Sequence, residues 1–170
     1  ICQGGVDKAL REKSAQAIGS LDFDGYAVGG LVIGEPKEKT FPAVKAALEH
    51  LPREKPRYMM GVGSPKELVE AIAHGVDVFD SCFATRTARH GRAFTSKGNI
   101  NIDSSVFKMD LRPLDSECEC FVCREHSRSY IHHLFRTREE NAGKYLSFHN
   151  VFFIQEMMRT IREKIIAGKF

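Results

Sequence analysis

RYMMGVGSPKELVEAIAHGVDVFD, residues Arg57–Asp80, carries the pattern that decides the fold. Arg57–Met60 is a short strand-forming run, ended by Gly61-Val62-Gly63. Ser64-Pro65-Lys66-Glu67 then marks a helix start. Ser64 offers an N-cap oxygen, Pro65 stands in the first turn where its missing N–H is not needed, and Glu67 closes a capping box three residues on. The helix runs to about His74 and stops at Gly75, and Asp77–Asp80 is a strand again. Strand, helix and strand joined by such short connections require the two strands to lie parallel, with the helix as crossover.

The same alternation extends toward the start of the chain. ICQGG at residues 1–5 reads as a strand ending in a glycine turn. Asp7–Leu21 follows as a helix with Val6, Leu10, Ala17, Ile18 and Leu21 on one face, then a short strand within Asp24–Gly30, then a helix over Pro42–Leu51. Four parallel strands fit a small open sheet or half of a (β/α)8 barrel, and the strand-like start at Ile1 favours the half barrel. Functional side chains in either architecture gather where strands end: Gln3, Gly29-Gly30, Met60-Gly61 and Asp80. A chain that opens on Ile1 in this way is expected to be the C-terminal part of a longer protein.

Asp80 stands in an unusual charge setting. From Ser81 to Ile102 there is no Asp or Glu, whereas Arg86, Arg89, Arg92 and Lys97 all fall there. One carboxylate before an acid-free basic loop suits a nucleophile acting on a polyanion. The same stretch also reads as a strand followed by a solvated loop.

Beyond Arg92 the pattern changes. Turn residues Ser96-Lys97-Gly98-Asn99 and the alternating Ile100 and Ile102 predict a hairpin within Phe94–Phe107. Ser127–Arg136 and Asn141–Gly168 read as helices, the second with Met157, Met158, Ile161, Ile165 and Ile166 as its core stripe. Three of the five cysteines form Cys118-x-Cys120-x2-Cys123. Three thiolates this close grip one face of a tetrahedral zinc ion, and His126, His132, His133 and His149 are all candidates for the fourth position. Four protein ligands make such a site structural rather than catalytic. Cys2 and Cys82 read as core residues, and His132 and His133 as helix-surface or hydrogen-bonded core residues.

The totals are those of one ordinary domain: 170 residues, 42% apolar and 28% charged. A net charge of +3 means that any affinity for nucleic acid must come from local clustering. No apolar run approaches the roughly 18 residues of a membrane span and nothing resembles a signal peptide, so the expected location is the cytoplasm.

Taken in order, six motifs resemble one family. They are Gln3-Gly4-Gly5, GYAVGGLVIGE at Gly25–Glu35, RYMMGVG at Arg57–Gly63, GVDVFDS with TRTARHG in Gly75–Gly91, PLDSECECFVC at Pro113–Cys123 and YIHHL at Tyr130–Leu134. With this spacing the chain resembles the C-terminal half of a bacterial-type tRNA-guanine transglycosylase. The resemblance implies α/β strands five to eight of a (β/α)8 barrel with an inserted zinc subdomain: residues 1–105 as half barrel, 106–150 as zinc-binding subdomain and 151–170 as a C-terminal barrel helix. It implies Asp80 as the nucleophile that attacks the ribose of the wobble guanosine, and Gln3, Gly30, Leu31 and Met60 as the base pocket. It further implies Arg86 and Arg89 as anticodon-loop contacts, and Cys118, Cys120, Cys123 and His149 as ligands of structural Zn2+.

Two positions depart from the family or divide it. Ala84 stands where proline is usual, and the branched Ile33 points to the smaller bacterial aminomethyl-deazaguanine base. The implied partners are tRNA, a deazaguanine base, an N-terminal half barrel and a second copy in a homodimer. The family's acid/base aspartate, a second base-reading aspartate and a stacking tyrosine lie in that N-terminal half, so the chain alone is expected to be inactive. Other readings are a non-catalytic tRNA-binding or partner subunit, and a stand-alone α/β protein with a zinc knuckle.

Overall fold

The computed structural model describes all residues, Ile1–Phe170. The chain forms two compact units, Ile1–Cys82 and Phe83–Phe170.

The first unit is built on parallel strands. Helix α1 (Lys8–Gly19) leads to β1 (Tyr26–Val28), α2 (Lys37–Leu48), β2 (Arg57–Met60), α3 (Pro65–Ala73) and β3 (Val78–Asp80). β1 pairs with β2 in register Val28↔Met59, and β2 with β3 in register Met60↔Asp80. Cys2 forms a parallel bridge to Val28 on the far side of β1. Spatial order therefore equals chain order across four strand positions. β1 is buried along its whole length, as expected of a central parallel strand. β3 ends the order and is more open, with Val78 and Asp80 exposed. α3 starts as read: Ser64 Oγ accepts the Glu67 N–H at 3.4 Å and donates to Glu67 Oε2 at 2.6 Å.

Helices α1 and α2 both differ from the sequence pattern. α1 does not bury the apolar face assigned to it, since Val6, Leu10, Ala17 and Leu21 are exposed. Its fully buried residues are Arg11 and Ala15. The buried line therefore carries a guanidinium that strand-end carbonyls satisfy, which apolar periodicity cannot reveal. α2 begins five residues before Pro42. A proline inside a helix forfeits a hydrogen bond and costs about 3 kcal/mol. Here the start is fixed instead by Pro36 at the N-cap and by Thr40, whose hydroxyl donates to Glu35 at 2.9 Å.

In the second unit, α4 (Phe83–Arg89) leads into an antiparallel pair, β4 (Arg92–Ala93) and β5 (Ile100–Asn101). A 3-10 turn (Ser105–Phe107), α5 (Phe121–Glu125), α6 (Arg128–Arg136) and the long α7 (Glu140–Ile166) follow. Its core joins Ala88, Ala93, Ile102, Leu114, Val122, Ile131, Leu134, Ala142 and Leu146 with Cys120 and Cys123.

The segment after Asp80 is thus a helix rather than a loop. Ala84 and Ala88, four apart, form its buried line, and Gly91 at φ +77° follows its end. The hairpin is present but narrower than expected, because Ser105–Phe107 coils instead of pairing. In α7, Ile161 is buried whereas Ile165 and Ile166 are exposed, so the apolar stripe stops a turn early. No helix is long and apolar enough to cross a membrane.

Candidate active site and metal centre

The strand ends of the first unit bring four of the expected residues together. Asp80 closes β3 opposite Met60, the last residue of β2. Its Oδ1 accepts the Tyr58 hydroxyl at 2.6 Å and the Gly61 N–H at 3.1 Å. Tyr58 is two residues before Met60, so both side chains leave the same face of β2. The Tyr58 hydroxyl, with help from Gly61 N–H, holds the Asp80 carboxyl below the usual carboxylate range. The carboxylate in turn pushes the tyrosine up. Asp80 is therefore an exposed, oriented anion.

Gln3 and Met60 flank the glycines after β1. A side chain on Gly29 would meet Gln3 Nε2 at 3.0 Å and Met60 Sδ at 3.5 Å, and one on Gly30 would meet Gln3 Oε1 at 2.3 Å. Gly30 also has φ +66°, a conformation open to glycine and strained for other residues. Leu31 is buried, and Ile33 is 81% exposed.

Two charged residues shape this segment. Arg11, fully buried, donates to four carbonyls: Gly5 at 2.7 Å, Cys2 at 3.2 Å, Gly29 at 2.8 Å and Gly30 at 3.2 Å. Burial lowers its pKa, and Cys2 and Glu35 oppose that. Glu35 accepts Val32 N–H at 2.5 Å and Ile33 N–H at 3.1 Å. Partial burial would raise its carboxyl, but these amides and Thr40 bring it down to about 2. The carboxylate pins Val32 at φ +60°, where a β-branched residue is strained.

The second unit holds a metal-type cluster. Sγ of Cys118, Cys120 and Cys123 and a ring nitrogen of His149 all lie within 4.8 Å of one another. Nδ1 of His149 is 3.7, 3.5 and 3.4 Å from the three sulfurs in turn. Nε2 is 2.7 Å from the Phe94 carbonyl, which requires the proton on Nε2 and leaves Nδ1 facing the sulfurs. Hydrogen bonds from Cys118 and Cys123 drive Cys120 down, while the same crowding drives Cys123 up. Burial would lower His149, but the sulfurs and the Phe94 carbonyl raise it to about 9. A divalent cation resolves this conflict by favouring thiolate at every sulfur and neutral imidazole at His149, so the donor set fits a metal of the zinc type.

Two of the other three candidate histidines are engaged elsewhere. His126 stacks on Tyr145 at 4.8 Å and lies tilted against Tyr130 at 4.9 Å. His132 Nδ1 lies 2.8 Å from the Ile102 carbonyl, and His133 is exposed. Of the two cysteines expected in the core, Cys2 is buried and Cys82 is exposed, because Cys82 lies past the end of β3 and outside any strand.

Arg86 and Arg89 lie in the second unit, exposed on α4 and three residues apart, while Ala84 and Ala88 are buried. Arg11, Tyr58 and Glu35 do not emerge from sequence reading. For Tyr58 a signal exists: a strand residue two before Met60 shares its face.

A family model described as queuine tRNA-ribosyltransferase matches residues 1–170, the whole chain. The chain belongs to the queuine tRNA-ribosyltransferase family. It is similar to queuine tRNA-ribosyltransferase from Thermoanaerobacter pseudethanolicus, at 46% identity over 97% of this chain and 44% of the relative. The relative from Dehalococcoides mccartyi is 47% identical over 97% of this chain and 42% of its own length. The one from a Jannaschia species is 45% identical over 100% and 45%. The chain thus spans about half the length of the curated relatives it matches. These family members carry the name of a pentosyltransferase that acts on tRNA.

Proposed function

We propose that the chain is the catalytic, C-terminal half of a bacterial-type tRNA-guanine transglycosylase, which exchanges the wobble guanine of tRNA for a 7-deazaguanine base. The observation that carries this reading is Asp80, an ionised and oriented carboxylate at a parallel strand end, within a chain of that family. Asp80 attacks C1′ of the wobble nucleoside. The Asp80 O–C1′ bond forms as the C1′–N9 bond breaks, and guanine leaves with the bonding electrons. N9 of the incoming base, losing its proton, then displaces the carboxylate, and two inversions give net retention.

Gln3 reads the purine edge, the Gly30 and Leu31 backbone reads the other side, and Met60 packs on the ring. Arg11 commits the Gly29 and Gly30 carbonyls and so fixes the peptide planes that meet the base. Exposed Ile33 follows that segment and favours the smaller aminomethyl base. Arg86 and Arg89 contact the anticodon loop. Zinc would be held by Cys118, Cys120, Cys123 and Nδ1 of His149, supplying a cross-link and no reaction chemistry.

Coincident spatial and chain order across four parallel strand positions supports a half barrel, since doubly wound sheets reverse at a switch point. In this reading residues 1–105 are barrel, 106–150 the zinc subdomain and 151–170 a barrel helix. The reaction requires a complementary half that donates the proton to departing guanine, in keeping with relatives about twice as long. tRNA as substrate puts the reaction in the cytoplasm.

The test is labelled-guanine exchange into tRNA by the full-length protein. Asp80→Asn should abolish exchange with tRNA binding retained. Exchange at the wild-type rate would overturn the assignment.

A further inference from the structure

Asn150 is the next residue after a metal-cluster histidine, is fully buried, and makes no contact with the cluster sulfurs among its hydrogen bonds. Its Oδ1 accepts the Phe94 N–H at 2.9 Å. Its Nδ2 donates to the Ala84 carbonyl at 3.0 Å and the Arg92 carbonyl at 2.9 Å. One amide thus grips the first turn of α4, the strand after it, and the residue beyond. His149 adds a fourth tie through the Phe94 carbonyl.

α4 has seven residues, too few for stability of its own in water. Its placement must come from what packs on it, and α7 is its principal neighbour. Ala84 and Ala88 face inward, so anything that sets their position sets where Arg86 and Arg89 point outward. Gly143 of α7 marks the same closeness, since a Cβ there would stand 3.8 Å from Cγ of Arg89. α7, at 27 residues, is the longer element of the pair and supplies the surface on which α4 packs.

We infer that Asn150 is a positioning residue for RNA binding: it fixes α4 so that Arg86 and Arg89 meet adjacent backbone phosphates of the anticodon loop. The inference rests on the proposed role of those two arginines and adds the device that aims them. A residue acting this way controls affinity for RNA while leaving affinity for the free base untouched. An Asn that only filled the core would lower both together through reduced stability.

The experiment uses the full-length protein and a tRNA anticodon stem-loop bearing the wobble guanosine. It measures stem-loop Kd against salt, KM for the free base, and bound metal. Asn150→Ala should weaken stem-loop binding at least tenfold. The slope of log Kd against log salt should fall by about 1.4, at roughly 0.7 for each single-strand phosphate that is no longer neutralised. Base KM and metal content should stay unchanged. In an Arg86→Ala/Arg89→Ala background, Asn150→Ala should add less than a twofold effect, because its effect runs through those side chains.

If the arginine pair can be replaced without loss of binding, the reading that α4 meets RNA is wrong and the inference goes with it. If the pair matters and Asn150→Ala does not, only the positioning role is wrong. Equal weakening in both backgrounds also overturns it. Asn150→Asp is isosteric, keeps the acceptor for Phe94 and turns an oxygen toward the Ala84 and Arg92 carbonyls, and it is measured in the same way. Loss of metal in both variants overturns the proposal in favour of a purely structural role.

Discussion

Replacing Arg11 with Met tests whether a buried guanidinium holds the strand-end loop. Methionine keeps most of the apolar stem, so the change is confined to four donor interactions. These are not equivalent. The Cys2 carbonyl keeps a second donor, Gly29 N–H at 3.0 Å. The Gly5 and Gly30 interactions are only part-buried, so water can replace them. The Gly29 carbonyl is affected most, because its bond is buried. An orphaned buried carbonyl costs about 1–3 kcal/mol, and removal of a charge-assisted bond a similar amount. Relief from burying the guanidinium offsets part of this, leaving about 2–4 kcal/mol. The assay is hydrogen exchange over residues 1–30 of the full-length protein. Where exchange proceeds through opening of this loop, that destabilisation speeds it by roughly thirty- to seven-hundredfold. KM for the free base should rise as well, because Gly29 and Gly30 lose their anchor. Exchange within threefold of wild type, with base KM unchanged, would refute the clamp.

Three other outcomes follow from the same geometry. Tyr58→Phe removes the main cause of the low Asp80 pKa, so the acid limb of exchange against pH should move to higher pH; an unmoved limb would show that Tyr58 does not set the ionisation. Glu35 is held near 2 when folded against an ordinary 4.5, so its stabilisation is complete above about 4.5 and disappears as pH falls through about 2. Urea midpoints of the full-length protein should therefore rise with pH across that window, and Glu35→Gln should flatten the rise. Wild-type protein should bind one zinc per chain by elemental analysis. Cys123→Ser or a chelator should remove it and unfold residues near Cys118–Glu125 first, since structural zinc contributes on the order of 10 kcal/mol to such sites.

What the sequence discloses, and what it hides, follows from the range of each interaction. The β2–α3–β3 unit is legible because Ser64, Pro65, Glu67 and Gly75 are local signals, and local chemistry is enough to start and stop that helix. The cysteine triad is legible for the same reason, since its three sulfurs fall within six residues. The fourth donor is not legible from spacing, which four histidines satisfy; the family resemblance points to His149, and packing then separates it from His126, which lies against Tyr130 and Tyr145. Arg11 hides completely, since its partners are backbone carbonyls up to 19 residues away and leave no compositional trace. α4 is readable in principle from Ala84 and Ala88, but the basic charge pattern outweighs that two-residue line. The open tail of α7 and exposed Cys82 show the limit of apolarity as a guide to burial, because position at an element's end decides as much as residue type.

In the proposed reaction Asp80 becomes covalently attached to tRNA. Full-length protein mixed with substrate tRNA, without the incoming base, then denatured, digested with nuclease and protease and weighed by mass spectrometry, tests it directly. A ribose-linked peptide containing Val78–Asp80 is expected from the wild type and should be absent in Asp80→Asn. A ribose adduct on any other residue, or base exchange proceeding in Asp80→Asn with no adduct at this position, would contradict it.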